Sequence, residues 1–347
     1  MQITNDRPLS ELTTLGVGGT ARYYARVERE GDVLEAVRFA EREGVPLRVL
    51  GGGSNVVVSD EAFPGLVLHL ATRGFSLQGS GDAVVLEAAA GEPWDETVAR
   101  SVAENLQGLE CLSGIPGLVG ATPLQNVGAY GQDVSETIES VRALDRETGA
   151  VREFSNAECR FEYRQSRFKS TDVDRYVVLS VRFRLRRNGP PKVAYAELAQ
   201  RLAGSAAPSL SETRSAVIEL RRAKSMLAEP GDPNRRSCGS FFLNPVLSQE
   251  DYARVLARAE GAKLPSYPQA DGRVKVAAAF LIERAGFPRG SRAGNVGQST
   301  EHALALVCHD GATAREVLDY AARVRAGVRE KFGVELVPEP VFWSNAT

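Results

Sequence analysis

An α+β chain of more than one domain is predicted by three features of the sequence. Through the first third, short apolar runs alternate with segments of helical period. Between 138 and 186 the runs alternate partly in period two, which fits strands of an antiparallel or mixed sheet. Further on the texture changes to capped amphipathic helices flanked by single strands, the layout of a separate C-terminal α/β domain.

The elements follow in order. DVLEAVRFAEREG (32–44) carries apolar residues at helical spacing and stops at Gly44. PLRVLGGG (46–53) reads as a strand running into a glycine loop. VVVSD, LVLHL (66–70) and AVVLEAAAG (83–91) read as further strands, and WDETVARSVAENLQG (94–108) as a helix. The stretch 138–154 predicts a hairpin turning at Glu147-Thr148-Gly149, and 175–186 another strand. RRNGPPKVAY (186–195) breaks the pattern and is expected to connect domains. Ser209 with Glu212, and Thr313 with Glu316, have the spacing of capping boxes, and Ser248 with Asp251 share it. These open helices over 209–226, 313–333 and 248–261, with Gly333 as a stop. Strands are expected at 303–308 and 334–343.

A chain of 347 residues is long enough for two or three domains and a sizeable core. Its net charge of −2 gives no global basic field, so neither nucleic acid nor a membrane surface is an expected partner. An anionic ligand must be met by local arginines, lysines and backbone N–H groups. The N-terminal MQITNDRPLSELTTLG lacks the character of a signal peptide, and no apolar run approaches the roughly 20 residues that span a bilayer. Cys111, Cys159, Cys238 and Cys308 are dispersed, and only His69, His302 and His309 accompany them. No Cys/His metal site is expected, and the thiols read as buried groups of a cytoplasmic protein.

Two loops carry the chemistry. LGGGSNVVVSD (50–60) has Gly51, Gly52, Gly53, Ser54 and Asn55 between two strands, and it fits neither G-x-G-x-x-G nor the P-loop pattern. A nest of backbone N–H groups can still bind a pyrophosphate without a following helix dipole, and a tight strand turn uses the same residues equally well. GIPGLVGATPLQNVGAYG supplies Gly114, Gly117, Gly120, Gly128 and Gly131, with Thr122, Gln125 and Asn126 as polar members. Such a strip lets backbone approach a flat apolar ligand closely. Two such loops in one protein suggest a long ligand, with phosphates at one and rings at the other.

Taken in order, LGGGSNVVVSD, GIPGLVGATPLQNVGAYG, FEYRQSRFK, GSFFLNP and VELVPEPVFW resemble the UDP-N-acetylenolpyruvoylglucosamine reductase family, from Leu15 to Trp343. The resemblance implies a vanillyl-alcohol-oxidase-type FAD-binding fold of two α/β subdomains, 1–75 and 76–208, and a C-terminal substrate-binding domain, 209–347. It implies FAD and NADPH as cofactors and an enolpyruvyl sugar nucleotide as substrate. A cytoplasmic, monomeric enzyme of peptidoglycan precursor synthesis follows from the same likeness. The FAD pyrophosphate would lie on Gly51, Gly52, Gly53, Ser54 and Asn55. Gly114, Gly117, Gly120, Thr122, Asn126 and Gly128 would complete the cofactor site.

The same resemblance makes Arg164, Ser240 and Glu339 catalytic. A guanidinium is a planar, permanently charged fork suited to a carboxylate, although an arginine in FEYRQSRFK equally makes a surface ion pair. Ser240 would protonate carbon; a hydroxyl is a weak acid, but an enediolate-like base takes its proton when geometry is right. Glu339, if burial and a neighbouring carboxylate keep it protonated, would share the developing charge. Tyr163, Tyr195, Lys224, Asn244, Tyr267 and His302 would bind substrate: Lys224 near the diphosphate and Tyr195 on a segment that closes over the nucleotide. Two departures from the family pattern stand out: Pro340 directly after Glu339, and a long stretch between Lys224 and Ser240. Two other functions compete: a sugar or alcohol oxidase on the same flavin fold, and a nucleotide-sugar binding protein without catalysis.

Overall fold

The computed structural model describes residues 1–79 and 81–344. The chain forms two compact units of interleaved segments. Met1–Arg7, Ala21–Gly53 and Phe63–Leu227 make the first; Pro8–Thr20, Ser54–Ala62 and the stretch from Ala228 onward make the second. The RRNGPPKVAY stretch and the helix Leu210–Ala223 both lie in the first unit.

The first unit holds two sheets. One has the order Thr4–Pro8, Thr20–Val27, Phe63–Leu70, Leu47–Leu50, and its last three strands run parallel. Parallel strands need a crossover; the helix Glu30–Glu43, which buries Val33, Ala36, Val37 and Ala40, joins Thr20–Val27 to Leu47–Leu50, the two strands that flank Phe63–Leu70. Gly44 ends that helix with φ 61°, its N–H capping the carbonyls of Ala40 and Glu41. The other sheet is antiparallel: Val151–Ser155, Ile138–Asp145, Tyr176–Arg187, Ala83–Ala89, Phe75–Gln78, with Leu106–Gln107 also on the long central strand. The predicted hairpin is present, closed by Gly149 N–H to Asp145 C=O at 2.8 Å.

One apolar cluster runs through this unit and includes Trp94, Phe154 and Phe183. Burying each such side chain contributes about 1.5–3 kcal/mol. The Trp94 indole N–H also donates to Leu112 C=O at 3.0 Å, so the core fixes the start of the second glycine loop.

The second unit contains a sheet ordered Ser237–Ser240, Ala305–Cys308, Val296–Gln298, Arg292–Ala293, and a smaller one of Val246–Leu247, Val274–Val276 and Ser266–Pro268. The helix Ala314–Phe332 buries Val317, Tyr320, Ala321, Val324, Val328 and Phe332, and Gly333 stops it with φ 72°. Its N-terminus carries the predicted Thr313/Glu316 capping box. Asp60 adds a second cap, accepting from the Ala314 and Arg315 N–H groups at 2.7 and 2.9 Å, where a carboxylate complements the helix dipole. The Ser209/Glu212 box of the first unit is also formed.

Several elements end sooner than their sequence pattern predicts. The helix expected over 94–108 stops at Ala103; Asn105 turns with φ 54° and Leu106–Gln107 joins the sheet. The strand expected over 334–343 is confined to Val341–Trp343, parallel to Val56–Val58, with an isolated bridge from Pro338 to Phe242. Pro338 and Pro340 have no N–H for a continuous ladder. The strand expected from Ala303 starts at Ala305. All four cysteines are free and buried. Among the described residues no His, Cys, Asp or Glu cluster is arranged to hold a metal, and no helix is long and apolar enough to cross a membrane.

Candidate active site

In the first unit the two glycine loops meet. A Cβ on Gly52 would lie 2.8 Å from the Gly117 Cα, so backbone passes backbone there. Gly120 packs likewise: its added Cβ would sit 2.6 Å from that of Ala90, and its N–H donates to Ala90 C=O at 2.9 Å. Gly51 is freer, with its nearest neighbours, Ala121 and Leu118, 3.9 Å from an added Cβ. His69 braces the first loop through a hydrogen bond to the Gly51 backbone, and its Nδ1 lies 2.7 Å from the Tyr24 hydroxyl. Burial, then the charges of Arg26 and Arg7, hold this imidazole below the usual histidine range. Ser54 and Asn55 belong to the second unit, where Asn55 C=O accepts from Val341 N–H at 3.0 Å.

The polar members of the second loop hold the loop itself. Thr122 donates to Val119 C=O at 2.8 Å. Asn126 is 4% exposed and uses both ends of its amide, Nδ2 to Glu162 C=O at 3.0 Å and Oδ1 from Ser135 N–H at 3.1 Å. The first of these bonds ties the loop at Asn126 to a tight turn at 162–165, closed by mutual Glu162–Gln165 backbone bonds of 3.0 and 3.2 Å.

Tyr163 and Arg164 form the tip of this turn. Arg164 has φ 56°, a left-handed conformation costly for a side-chain-bearing residue and often found where a functional group must be aimed. Its guanidinium donates to Asn126 C=O at 3.2 Å and to Gly128 C=O, and lies 5.2 Å from the Tyr163 ring. The structure therefore brings Arg164 onto the second glycine loop.

A third group gathers around Tyr130 of the same loop. Tyr195 meets its ring edge-on at 5.4 Å, and the Lys224 ammonium is 5.7 Å from its centre and paired with Glu197. Burial pushes the Tyr130 hydroxyl up to about 12. Sequence reasoning named Tyr195 and Lys224 but passed over Tyr130, although it sits inside the GAYG motif, and Glu197, two positions after Tyr195.

The second unit pairs the segments that carry Ser240 and Glu339. Gly239 turns with φ 74° at an irregularity in the strand register, and Ser240 follows opposite Ala305. Glu339 N–H donates to Phe241 C=O at 2.9 Å, and Leu243 N–H to Val337 C=O at 2.9 Å, so GSFFLNP and LVPEP run side by side. Phe241 and Phe242 are buried beneath them. Pro340, lacking a donor, separates this pairing from the Val341–Trp343 strand. Burial raises the pKa of the Cys238 thiol, and Cys308 and Glu339 add to the rise.

The remaining expected ligands of this unit are spread around it. Asn244 Oδ1 accepts from Ala278 N–H at 2.9 Å and so caps the helix Ala278–Arg284. Tyr267 is 45% exposed, with the Lys275 ammonium 6.0 Å from its ring. His302 lies in the turn before Ala305, its N–H donating to Ser299 Oγ at 3.3 Å.

Known proteins match this architecture throughout. Residues 21–155 match the model of an FAD binding domain, and 232–343 that of the UDP-N-acetylenolpyruvoylglucosamine reductase C-terminal domain. The UDP-N-acetylenolpyruvoylglucosamine reductase of Thermobifida fusca is 49% identical over 96% of each chain. The chain belongs to the UDP-N-acetylenolpyruvoylglucosamine reductase family. The Streptomyces coelicolor reductase is 47% identical, covering 98% of this chain and 90% of its own. The reductase crystal structure from Thermus caldophilus superposes with TM-score 0.67 at 26% identity, covering 99% of this chain and 98% of that one. A UDP-N-acetylenolpyruvoylglucosamine reductase is an FAD-dependent oxidoreductase, and the expected fold class, an FAD-binding part followed by a C-terminal α/β domain, stands. The seam between its glycine loops has the backbone-only character that an FAD cradle uses: the Gly117 backbone stands beside Gly52 and leaves no room there for a Cβ.

Proposed function

We propose that this reductase converts UDP-N-acetyl-enolpyruvylglucosamine to UDP-N-acetylmuramate with NADPH, in the cytoplasmic stage of peptidoglycan synthesis. The observation that carries the catalytic assignment is the pairing of two distant segments in the second unit. Glu339 N–H bonds to the carbonyl one residue past Ser240, so the segments that carry the hydroxyl and the carboxyl run side by side. Membership of a family named for this reduction supports the substrate.

FAD, held by Gly51, Gly52 and Gly53 and by the Gly114–Gly128 strip, supplies hydride transfer between NADPH and the vinyl carbon. The protein's own groups deal with charge and proton. Arg164 meets the substrate carboxylate, whose oxygens gain electron density as the double bond is reduced; a fixed guanidinium stabilises that charge without reorganising. Glu339, protonated, shares the same charge by hydrogen bonding, because an ionised carboxyl there would repel it. Ser240 gives its hydroxyl proton to the adjacent carbon. Lys224 and Tyr195 receive the diphosphate and nucleotide, and Tyr267 and His302 the uridine. Asn244, whose Oδ1 caps a helix, keeps its amide nitrogen for substrate.

The test separates the two half-reactions. In flavin-loaded Ser240→Ala, NADPH should still bleach the flavin at the wild-type rate, while turnover of the enolpyruvyl nucleotide falls by at least ~100-fold, the usual scale of a positioned acid. Equal loss of both half-reactions in a folded, loaded variant would remove Ser240 from the role.

A further inference from the structure

The helix Leu210–Ala223 ends in a turn that carries Lys224, and one side chain fastens that turn to the second glycine loop. Arg221 is 7% exposed. Its Nε donates to Gly114 C=O at 3.1 Å and its Nη2 to Met226 C=O at 2.7 Å. Its own backbone carbonyl accepts the N–H groups of Lys224 at 3.1 Å and Met226 at 2.9 Å. Met226 is thus held at both its N–H and its C=O by a single residue. Ser225, between Lys224 and Met226, has φ 53°, so the turn is tight and needs such bracing.

Gly114 is held from the other side as well. Asp95, in the first turn of the helix Trp94–Ala103, accepts the Gly114 N–H at 2.5 Å. Arg214 holds that carboxylate through two bonds, 2.6 and 2.8 Å. Burial alone raises the Asp95 pKa, but Arg214 and the Gly114 amide outweigh it and keep the group ionised. With φ 72°, and an added Cβ only 2.5 Å from Leu227 and 2.8 Å from Ile218, Gly114 has one place to be. Its N–H goes to an anion and its C=O to a cation, both partly or wholly removed from water, where such charge-assisted bonds are strong.

We propose that Arg221 is a positioning residue for the reaction, joining the cofactor loop at Gly114 to the turn that presents Lys224, so that neither is set without the other. The proposal rests on the reading above that Gly114 belongs to the FAD site and Lys224 to the substrate site. A buried guanidinium cannot be truncated without leaving two carbonyls unpaired, Gly114 on one side and Met226 on the other. Their release frees both segments together. Lysine in its place keeps the charge and reaches one carbonyl at a time, because an ammonium lacks the planar fork.

The experiment compares Arg221→Met, Arg221→Lys and Asp95→Asn in the full-length protein. Hydrogen exchange of the apoprotein is followed in peptides covering 112–120 and 224–228. Arg221→Met should speed exchange at least ~10-fold in both segments together. Arg221→Lys should give a smaller but measurable rise, between wild type and Arg221→Met, and Asp95→Asn should affect 112–120 alone. In the flavin-loaded enzyme, Arg221→Met should weaken FAD binding and raise KM for the enolpyruvyl nucleotide more than it lowers kcat. Unchanged exchange at 112–120 in Arg221→Met overturns the coupling, whatever the ligands are. Coupled exchange with unchanged FAD affinity and KM leaves the brace in place and overturns its part in the reaction. If Arg221→Met does not fold, Arg221→Lys carries both readouts, and wild-type values in that variant at both segments overturn the proposal.

Discussion

Replacing Gly52 by alanine tests the seam between the glycine loops. The new Cβ would stand 2.8 Å from the Gly117 Cα and 3.3 Å from its carbonyl carbon, both backbone atoms that cannot rotate away. Ordinary carbon contacts begin near 3.4–3.6 Å, so the loops must part by roughly 0.6–0.8 Å. Overpacking of this size costs about 1–3 kcal/mol. If that strain falls on the cofactor-binding geometry, FAD affinity drops by roughly 5- to 150-fold, at about 1.4 kcal/mol per factor of ten. Gly51→Ala is the matched control for packing, read on the melting temperature, since its Cβ would meet no protein atom nearer than 3.9 Å. The assay reconstitutes each apoprotein with FAD, following flavin fluorescence, and records the melting temperature beside it. Gly52→Ala that binds FAD as the wild type does, with the melting temperature of Gly51→Ala, would refute the close seam. A lower melting temperature with unaltered affinity would place the seam outside the cofactor site.

Two further outcomes follow from single side chains. Among the described residues, neither end of the buried Gln298 carboxamide finds a hydrogen-bond partner, so Gln298→Leu, near in volume, should stabilise the protein by about 1 kcal/mol in urea denaturation; destabilisation by that amount would mean that the amide is solvated or bound. His69, with its pKa lowered, binds its proton more weakly in the folded chain than in the unfolded one, and His309, lowered by burial and by Arg292 and Arg236, behaves alike. Their contribution is complete above the unfolded value, near ~6.5, and is lost as pH falls below it towards the folded values. Stability measured from pH 7.5 to 5 should therefore decline, and His69→Gln should flatten part of that slope; a flat wild-type profile would contradict the assignment.

Much of this protein could be read in one dimension because the governing interactions are local. Capping boxes at Ser209/Glu212 and Thr313/Glu316 close within one helical turn, and Gly44 and Gly333 stop helices because their own φ is positive. The hairpin at Glu147–Gly149 and the strands on either side of Gly51–Gly53 follow from short-range pattern for the same reason. The motifs FEYRQSRFK, GSFFLNP and VPEPVFW announced Arg164, Ser240 and Glu339 through a family likeness. Neither periodicity nor composition gives a serine or glutamate its neighbours.

Tertiary structure decided what those residues touch. Asn126 reads as a ligand-facing amide in a glycine-rich strip, yet it bonds to Glu162 and Ser135, partners 36 and 9 positions away. Glu339 meets Phe241 and Asp60 caps a helix 254 positions on, contacts that no local pattern encodes. Arg221 shares its sequence texture with Arg222 beside it, and only packing separates a buried brace from an ordinary helical arginine. Local sequence settles backbone conformation within a turn or two. The partner of a buried polar group depends on which distant segment the core carries to it, and on the cost of leaving that group unpaired.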